Sequence, residues 1–421
     1  MSCGAPSAEA CARVEVSAQP APEVVACADC GLVQDAPPAA RDPRCRRCDA
    51  FFGRRMKSVD TALALAATSI ILFPLANLTP FLAIDIIGQG QGVRLGSGVS
   101  GLAEHGLAPL AAFVLVISVV APLGRLLLLT WVLLLVRLGA SRRQPHRRRS
   151  AWALRWAERL RPWSMLDVFL IGALISLAKL HALAQLEIGA GFWALGGLVA
   201  ALAGFEAAID RRSLWNAVSP PSPVEGASVV GCHHCGLVQP VGPSCLRCEA
   251  GLHRRKPESL HRATALMIAG LILYLPANIY PVMTVVSFGK RTTATILGGV
   301  VELMNGQDWP LALIVFAASV AVPLLKLVGL GWLLLSTRLR QREGLVNRTR
   351  LYRLIERVSR WSTVDVFVAG LLTALVALGD IATIEPGLGA LAFGAVVLVT
   401  MVATECFDPR LMWDAAGAND V

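Results

Sequence analysis

The two halves of this 421-residue chain repeat one another at an offset of about 200 residues, so whatever fold it adopts must be built twice. CADCGLVQ at Cys27 returns as CHHCGLVQ at Cys232, and CRRC at Cys45 returns as CLRC at Cys245. FPLANLTP at Phe73 returns as YLPANIYP at Tyr274, and VAPLGRL at Val120 returns near VPLLKL at Val322. RPWSMLDVFLIG at Arg161 returns as SRWSTVDVFVAG at Ser359, and IDRRSLWN at Ile209 as FDPRLMWD at Phe407. Six matched blocks in one order indicate a duplication.

Each half also carries four long apolar stretches. In the first they run roughly Thr61–Thr79, Leu107–Val136, Met165–Leu186 and Ile188–Ile209; in the second, Ala263–Tyr280, Leu311–Ser336, Val364–Ile384 and Leu388–Phe407. Each can cross a bilayer core, which takes about 20 helical residues. The composition agrees, with 55% hydrophobic and only 16% charged residues. The second stretch of each unit is long enough to tilt or to extend past the headgroups. Pro122 and Pro323 are expected to kink it. Pro74, Pro80, Pro276 and Pro281 are expected to break or bend the first helix near its outer end.

The net charge of +10 points to a membrane rather than to nucleic acid because of its distribution. Of the 39 Lys and Arg, 33 fall in segments assigned to one side. Arg125, Lys179 and Lys326 lie within apolar runs, and only Arg94, Lys290 and Arg291 fall in the opposite loops. That asymmetry is the positive-inside pattern. The first 58 residues lack an apolar run, so no cleavable signal peptide is expected. Both termini, the basic loops Ser141–Arg149 and Arg338–Arg360 and all four CxxC pairs are assigned to the cytoplasm. Tight external turns are expected at Glu187-Ile-Gly and Glu385-Pro-Gly, and short β-hairpins in the longer external loops Phe81–Gly106 and Val282–Trp309.

Eight of the eleven cysteines form those four CxxC pairs, which in a reducing compartment favour thiolate–metal bonds over disulfides. Cys27, Cys30, Cys45 and Cys48 form one set, with fourteen residues between the pairs; Cys232, Cys235, Cys245 and Cys248 form the other, with nine. Two CxxC turns close a tetrahedral four-thiolate shell, so each set is read as a structural zinc ribbon with no open catalytic position. Redox exchange by a CxxC is the other reading, and the second pair in each set argues against it. Gly31 and Gly236 sit where a knuckle needs unusual backbone angles. Cys3, Cys11 and Cys406 receive no role.

The resulting fold class is a mainly α integral membrane protein: two tandem four-helix transmembrane units, each preceded by a four-cysteine zinc ribbon. The expected divisions are a disordered tail (1–24), ribbon (25–55), transmembrane unit (56–216), linker (217–229), ribbon (230–256), transmembrane unit (257–414) and short tail (415–421).

Ionisable groups inside spans are costly and are candidates for function. Lys179, with Ser176 one turn before it, is either a functional cation or a lysine reaching the outer headgroups. The second half has Ala377 there and Asp380 one turn on. Arg125 and Lys326 align, three residues after the matched prolines, where freed carbonyls could hold them. Asp167 and Asp365 begin the third helices, as first-turn carboxylates favoured by the helix dipole or as transport groups. Asn77 and Asn278 either line a cavity at a broken helix or cap a helix end. No nucleophile–base set, P-loop, Rossmann or HExxH pattern is present, so no enzymatic activity is expected.

The order CxxCG–CxRC, an apolar helix ending in an AN-xxP block, V-x-P-L-x-K/R-L, R-x-W-S-x-x-D-V-F and F-D-P-R-x-x-W resembles the paraquat-inducible protein A (PqiA/LetA-like) family, in two copies over about residues 25 to 415. The first copy departs from it where IDRR replaces FDPR. The resemblance implies a bacterial inner-membrane protein paired with a periplasmic MCE-domain tunnel protein. It implies a role in moving phospholipid between membranes and in envelope integrity. A zinc-dependent membrane scaffold or stress sensor is the competing reading; a membrane thiol oxidoreductase would need an open CxxC and a cofactor site.

Overall fold

The computed structural model describes residues 24–35, 43–52, 58–86, 89–93, 96–104, 106–143, 145–181, 186–220, 229–287, 290–305, 309–359, 361–364, 366–368 and 382–417. Among these, seven helical segments are long and apolar enough to cross a membrane. They are Val59–Leu78, Ala108–Arg137, His146–Leu177 (apolar in its second half), Ala190–Ala208, Ser259–Ile279, Ala312–Arg338 and Leu388–Cys406. The stretch expected at Val364–Ile384 falls mostly outside the described residues. The protein is thus a mainly α, multi-span membrane protein with small β elements.

The first spans are α1 (Val59–Leu78) and, in the second unit, α9 (Ser259–Ile279). Ser58 caps α1 by accepting the Asp60 amide at 3.2 Å. Both helices run through Pro74 and Pro276 rather than breaking there. The proline removes a single amide one turn from the helix end, and in lipid any further unpaired backbone groups would cost several kcal/mol each, so the helix persists (on the order of that cost). Asn77 and Asn278 brace this last turn, donating Nδ2 to the carbonyls of Phe73 (2.7 Å) and Tyr274 (2.8 Å). Outward faces such as Ile268, Leu271, Ile272, Leu275 and Ile279 of α9 are exposed and apolar, as a lipid-facing surface requires.

The second span is composite in both units. A short helix α3 (Ala108–Leu115) passes through a π-helical turn at Val116–Val120 into α4 (Ala121–Arg137). Its counterpart runs from α11 (Trp309–Phe316) through a π-turn at Ala317–Ala321 into α12 (Val322–Arg338). Each wide turn ends just before Pro122 or Pro323, where it makes room for a ring that would otherwise strike the carbonyl four residues back. Ser118 and Ser319 return their hydroxyls to Val114 and Val315 at 2.7 Å inside these turns.

Amphipathic helices α5 (His146–Leu160) and α13 (Leu345–Ser359) pack along α4 and α12. The third span of the first unit is α6 (Leu166–His181), and the fourth spans are α7 (Ala190–Ala208) and α14 (Leu388–Cys406), each followed by a short helix, α8 (Arg211–Val218) or α15 (Arg410–Ala415).

At the end remote from the CxxC motifs, the expected hairpins form: β3 (Leu82–Ile86) pairs β4 (Gln89–Val93), and β8 (Met283–Ser287) pairs β9 (Lys290–Ala294). The expected tight turns at Glu187 and Glu385 are instead third strands. β5 (Leu186–Ile188) joins β3 and β10 (Ala382–Pro386) joins β8, both antiparallel. Hairpin edges offer unpaired backbone groups, and the short connections satisfy them. Pro386 is tolerated because β10 is an edge strand. Directly after these strands the backbone approaches the end of the first span. Gly189 and Gly191 donate to Phe81 and Pro80 carbonyls at 3.2 and 2.9 Å, and Gly387 and Gly389 to Val282 and Pro281 at 2.8 and 3.0 Å.

The two units meet through matched residues. Phe169 and Phe367 stack edge-on at 5.0 Å, and Met165 Sδ lies 3.6 Å from Thr363 Oγ1. Phe169 aligns with Phe367 and Met165 with Thr363 in the duplicated block, so equivalent positions face each other across a pseudo-two-fold axis.

A β-carbon at Gly189 would stand 2.2 Å from the Pro80 oxygen, and one at Gly387 would stand 2.3 Å from the Pro281 oxygen. Gly189→Ala and Gly387→Ala are each expected to destabilise the fold by about 2 kcal/mol or more, as backbone overpacking does. Thermal unfolding of purified variants in detergent checks this; unchanged midpoints would contradict the close approach.

Candidate metal centres and intramembrane polar groups

Each ribbon is a minimal hairpin plus two knuckles. β1 (Val24–Ala26) pairs β2 (Val33–Asp35), and β6 (Val229–Gly231) pairs β7 (Val238–Pro240). Between the strands the chain turns so that Gly31 and Gly236 donate to the carbonyls of Cys27 and Cys232 at 2.9 Å, both with φ in the left-handed region. That is the conformation for which glycine is suited. The second knuckles repeat the turn through Asp49 and Glu249, at φ +60° and +59°.

These turns aim four thiols at one point in each ribbon. Cys27, Cys30, Cys45 and Cys48 are buried with sulfurs within 4.8 Å of one another, and so are Cys232, Cys235, Cys245 and Cys248. Cross-pair sulfurs lie 3.5 to 3.6 Å apart. A tetrahedral ion with bonds of about 2.3 Å needs sulfurs roughly 3.8 Å apart, so both clusters fit such an ion. The repeated GLVQ block contributes a residue that the sequence reading passed over. Gln34 Oε1 accepts the Arg46 amide at 3.1 Å, and Gln239 Oε1 accepts the Leu246 amide at 2.9 Å, tying one knuckle to the other. Its signal was present, because both copies keep the glutamine.

The ribbons dock crosswise. The first shares a buried cluster with Leu330, Leu333, Tyr352, Phe407 and Trp413 of the second unit. The second ribbon is buried against Leu126, Leu154, Leu214 and Trp215 of the first. The FDPR block closes the second unit: Asp408 accepts from Arg410 at 2.8 and 2.9 Å and from the Lys256 amide at 3.0 Å. Burial pushes the Asp408 carboxyl up, but these partners outweigh it and hold it below the ordinary aspartate range.

Inside the bundles the two aligned cations turn to side chains rather than to the carbonyls freed by proline. Arg125 forms a two-pronged ion pair with Glu206 of α7, with one nitrogen–oxygen distance of 2.8 Å. Lys326 is buried and donates to Thr400 Oγ1 at 3.0 Å. The Thr400 hydroxyl in turn donates to the Val397 carbonyl at 3.1 Å; one turn on, Thr404 donates to the Thr400 carbonyl at 2.9 Å, and Ser359 Oγ lies 3.5 Å from Thr404 Oγ1. The reason for the difference is reach. The π-turns already absorb the proline-induced disruption, whereas the fourth span packs beside these side chains. Position 206 aligns with Thr404 and position 202, a leucine, with Thr400, so the two units answer their cations differently.

Other candidates are dispersed. Ser176 is buried and returns its hydroxyl to the Gly172 carbonyl at 2.9 Å. Asp167 is exposed in the first turn of α6. Lys179 lies on α6, with its side chain outside the described residues, as are Asp365 and Asp380 altogether. Where ribbons and bundles meet, a cavity of about 1150 Å³ is lined by Arg125, Glu206, Arg353, Thr404, Ser359 and residues of both ribbons, among others.

The profile of the family described as "Paraquat-inducible protein A" matches residues 59–219 and 260–417. The chain is 32% identical over 408 residues to "Intermembrane transport protein PqiA" of Escherichia coli K12, covering 93% of this chain and 95% of that one. It is 31% identical over 377 residues to "Lipophilic envelope-spanning tunnel protein A" of the same organism, covering 88% and 86%. It is 26% identical over 408 residues to a "Probable intermembrane transport protein" of Haemophilus influenzae, covering 93% and 96%. No solved structure matches the chain. Two copies of one membrane unit in tandem, matched nearly end to end by these relatives, place the chain in the paraquat-inducible protein A family.

Proposed function

We propose that this chain is the inner-membrane component of an intermembrane lipid-transport system, exchanging phospholipid with a periplasmic MCE-domain tunnel protein. The near full-length similarity to proteins named for intermembrane transport and for an envelope-spanning tunnel supports a transport role. The structural observation that carries it further is a cation inside each bundle. Arg125 lines the central cavity, as do Thr404 and Ser359, and Lys326 bonds Thr400 one turn before Thr404. A phospholipid must bring its phosphate past a low-dielectric region, where a fixed cation is worth most. No covalent step is required, and the ribbons serve as structure rather than as catalysts. In this reading Lys179 is a further cation on the transport path, and the two units contribute unequally.

Zinc is the ion we assign to both clusters, since buried four-thiolate tetrahedra suit it. Metal analysis of the purified protein is expected to give about two zinc per chain, one for each closed shell. Cys45→Ser should lose one of them. A folded, metal-free protein would refute the assignment.

With the ribbons and both termini in the cytoplasm, cysteines introduced as Gln91→Cys and Ser287→Cys should react with a membrane-impermeant reagent from the periplasmic side. Reaction only after inner-membrane rupture would invert the topology.

Lys179→Ala and Lys326→Met should lower transfer of labelled phospholipid from reconstituted membranes by about tenfold or more while expression stays normal, a cost comparable to losing one buried cation contact. Full transfer by both variants would leave these lysines as anchors and favour the scaffold reading.

A further inference from the structure

The ribbons sit where chain connectivity does not put them. The first ribbon precedes α1, yet its partners are on α13 and α15 of the other unit. Asp29 accepts from Arg353 Nε at 2.7 Å, the Cys48 carbonyl accepts from Arg353 Nη2 at 2.6 Å, and the Arg47 guanidinium lies 5.6 Å from the Trp413 ring centre. The knuckles of the second ribbon reach back to α5 and α8, while the segment linking them to α9 stays with its own unit, Arg255 pairing with Asp414 of α15. Arg247 donates to Asn216 at 3.1 Å, Glu249 pairs with Arg148 at 3.1 Å, and the His234 carbonyl accepts from Arg211. Arg47 and Arg247 occupy the same place in their CxRC motifs, and each reaches the short last helix of the opposite unit. The ribbons also abut one another: a β-carbon at Gly231 would lie 2.5 Å from Ala26 Cβ. Together they wall the central cavity.

We propose that the ribbons are a reciprocal clasp, in which metal bound by each ribbon maintains the cytoplasmic face of the opposite transmembrane unit rather than of the unit it adjoins in sequence. This goes beyond the transport reading and stands whether or not lipid is carried. The physical basis is linkage. A ribbon with three-residue strands has almost no core of its own, so metal binding supplies its folding energy. The folded ribbon presents the carbonyls, carboxylates and arginine that hold the docked helices. Anything that stabilises the ribbon therefore stabilises what it docks on. The knuckle conformation is itself part of the interface, because Arg353 takes the carbonyl of Cys48, one of the four converging cysteines.

Chain connectivity and crossed docking predict opposite outcomes. The test is amide hydrogen exchange on the full-length, zinc-loaded protein in lipid nanodiscs, comparing α5 and α8 with α13 and α15. Cys45→Ser should speed exchange in α13 and α15 by about tenfold and leave α5 and α8 unchanged. Cys245→Ser should speed exchange in α5 and α8 and leave α13 unchanged; α15 is not a control for it, because Arg255 pairs with Asp414 of α15. Arg353→Ala keeps every cysteine, so it separates docking from metal loss. It should retain the wild-type zinc content and still speed exchange in α13 and α15. Faster exchange in α5 and α8 after Cys45→Ser would overturn the clasp, as would an Arg353→Ala variant with wild-type exchange.

Discussion

A polar group within a bilayer has no water to turn to, and the architecture of this protein follows from how its own polar groups are answered. Helices absorb the backbone. Where Pro122 and Pro323 interrupt the second spans, a π-turn precedes them, and serine returns its hydroxyl to the carbonyl four residues back at Ser118 and Ser319. Where a strand edge would be left open at the far end of the bundle, the link to the fourth span pairs with it. Arg125 and Lys326 obey the same rule with side-chain partners. One finds a carboxylate, the other a threonine hydroxyl.

Duplication explains both the symmetry and its failure. Contacts on the pseudo-two-fold axis are made by one repeated residue with its own copy, as Phe169 with Phe367. A change on the axis is therefore felt by both units. Away from it each unit is free to drift, and Glu206 against Thr404 is such a drift. The first unit neutralises its cation, while among the described residues the second leaves Lys326 without a carboxylate. A lysine buried in that setting is costly, and the two units meet that cost differently.

The ribbons couple these halves. Their docking turns two bundles, already in contact through Phe169 and Phe367, into a single assembly around a shared cavity. Because the knuckles of both ribbons cross over, neither unit is complete at its ribbon end without residues from the other copy.

Much of this was legible in the chain itself. Apolar runs of about 20 residues define spans whatever surrounds them, because the bilayer is a solvent of fixed thickness. CxxC spacing brings paired thiolates together through local turns, so all eight cysteines could be named in advance, and the hairpins followed from alternation about glycines. Long-range choices could not be read. The glycines after the fourth-span strands look like turn residues until the backbone beneath them is seen at Pro80 and Pro281. The alignment exposed Arg125 and Lys326 but not Glu206 or Thr400, which come from helices 81 and 74 residues away. Which bundle a ribbon clasps lies further still beyond sequence, since the repeats are similar enough that either could serve. Local chemistry and the bilayer determined the elements; three-dimensional packing decided their partners, because side-chain contacts between distant segments depend on geometry that no short-range pattern encodes.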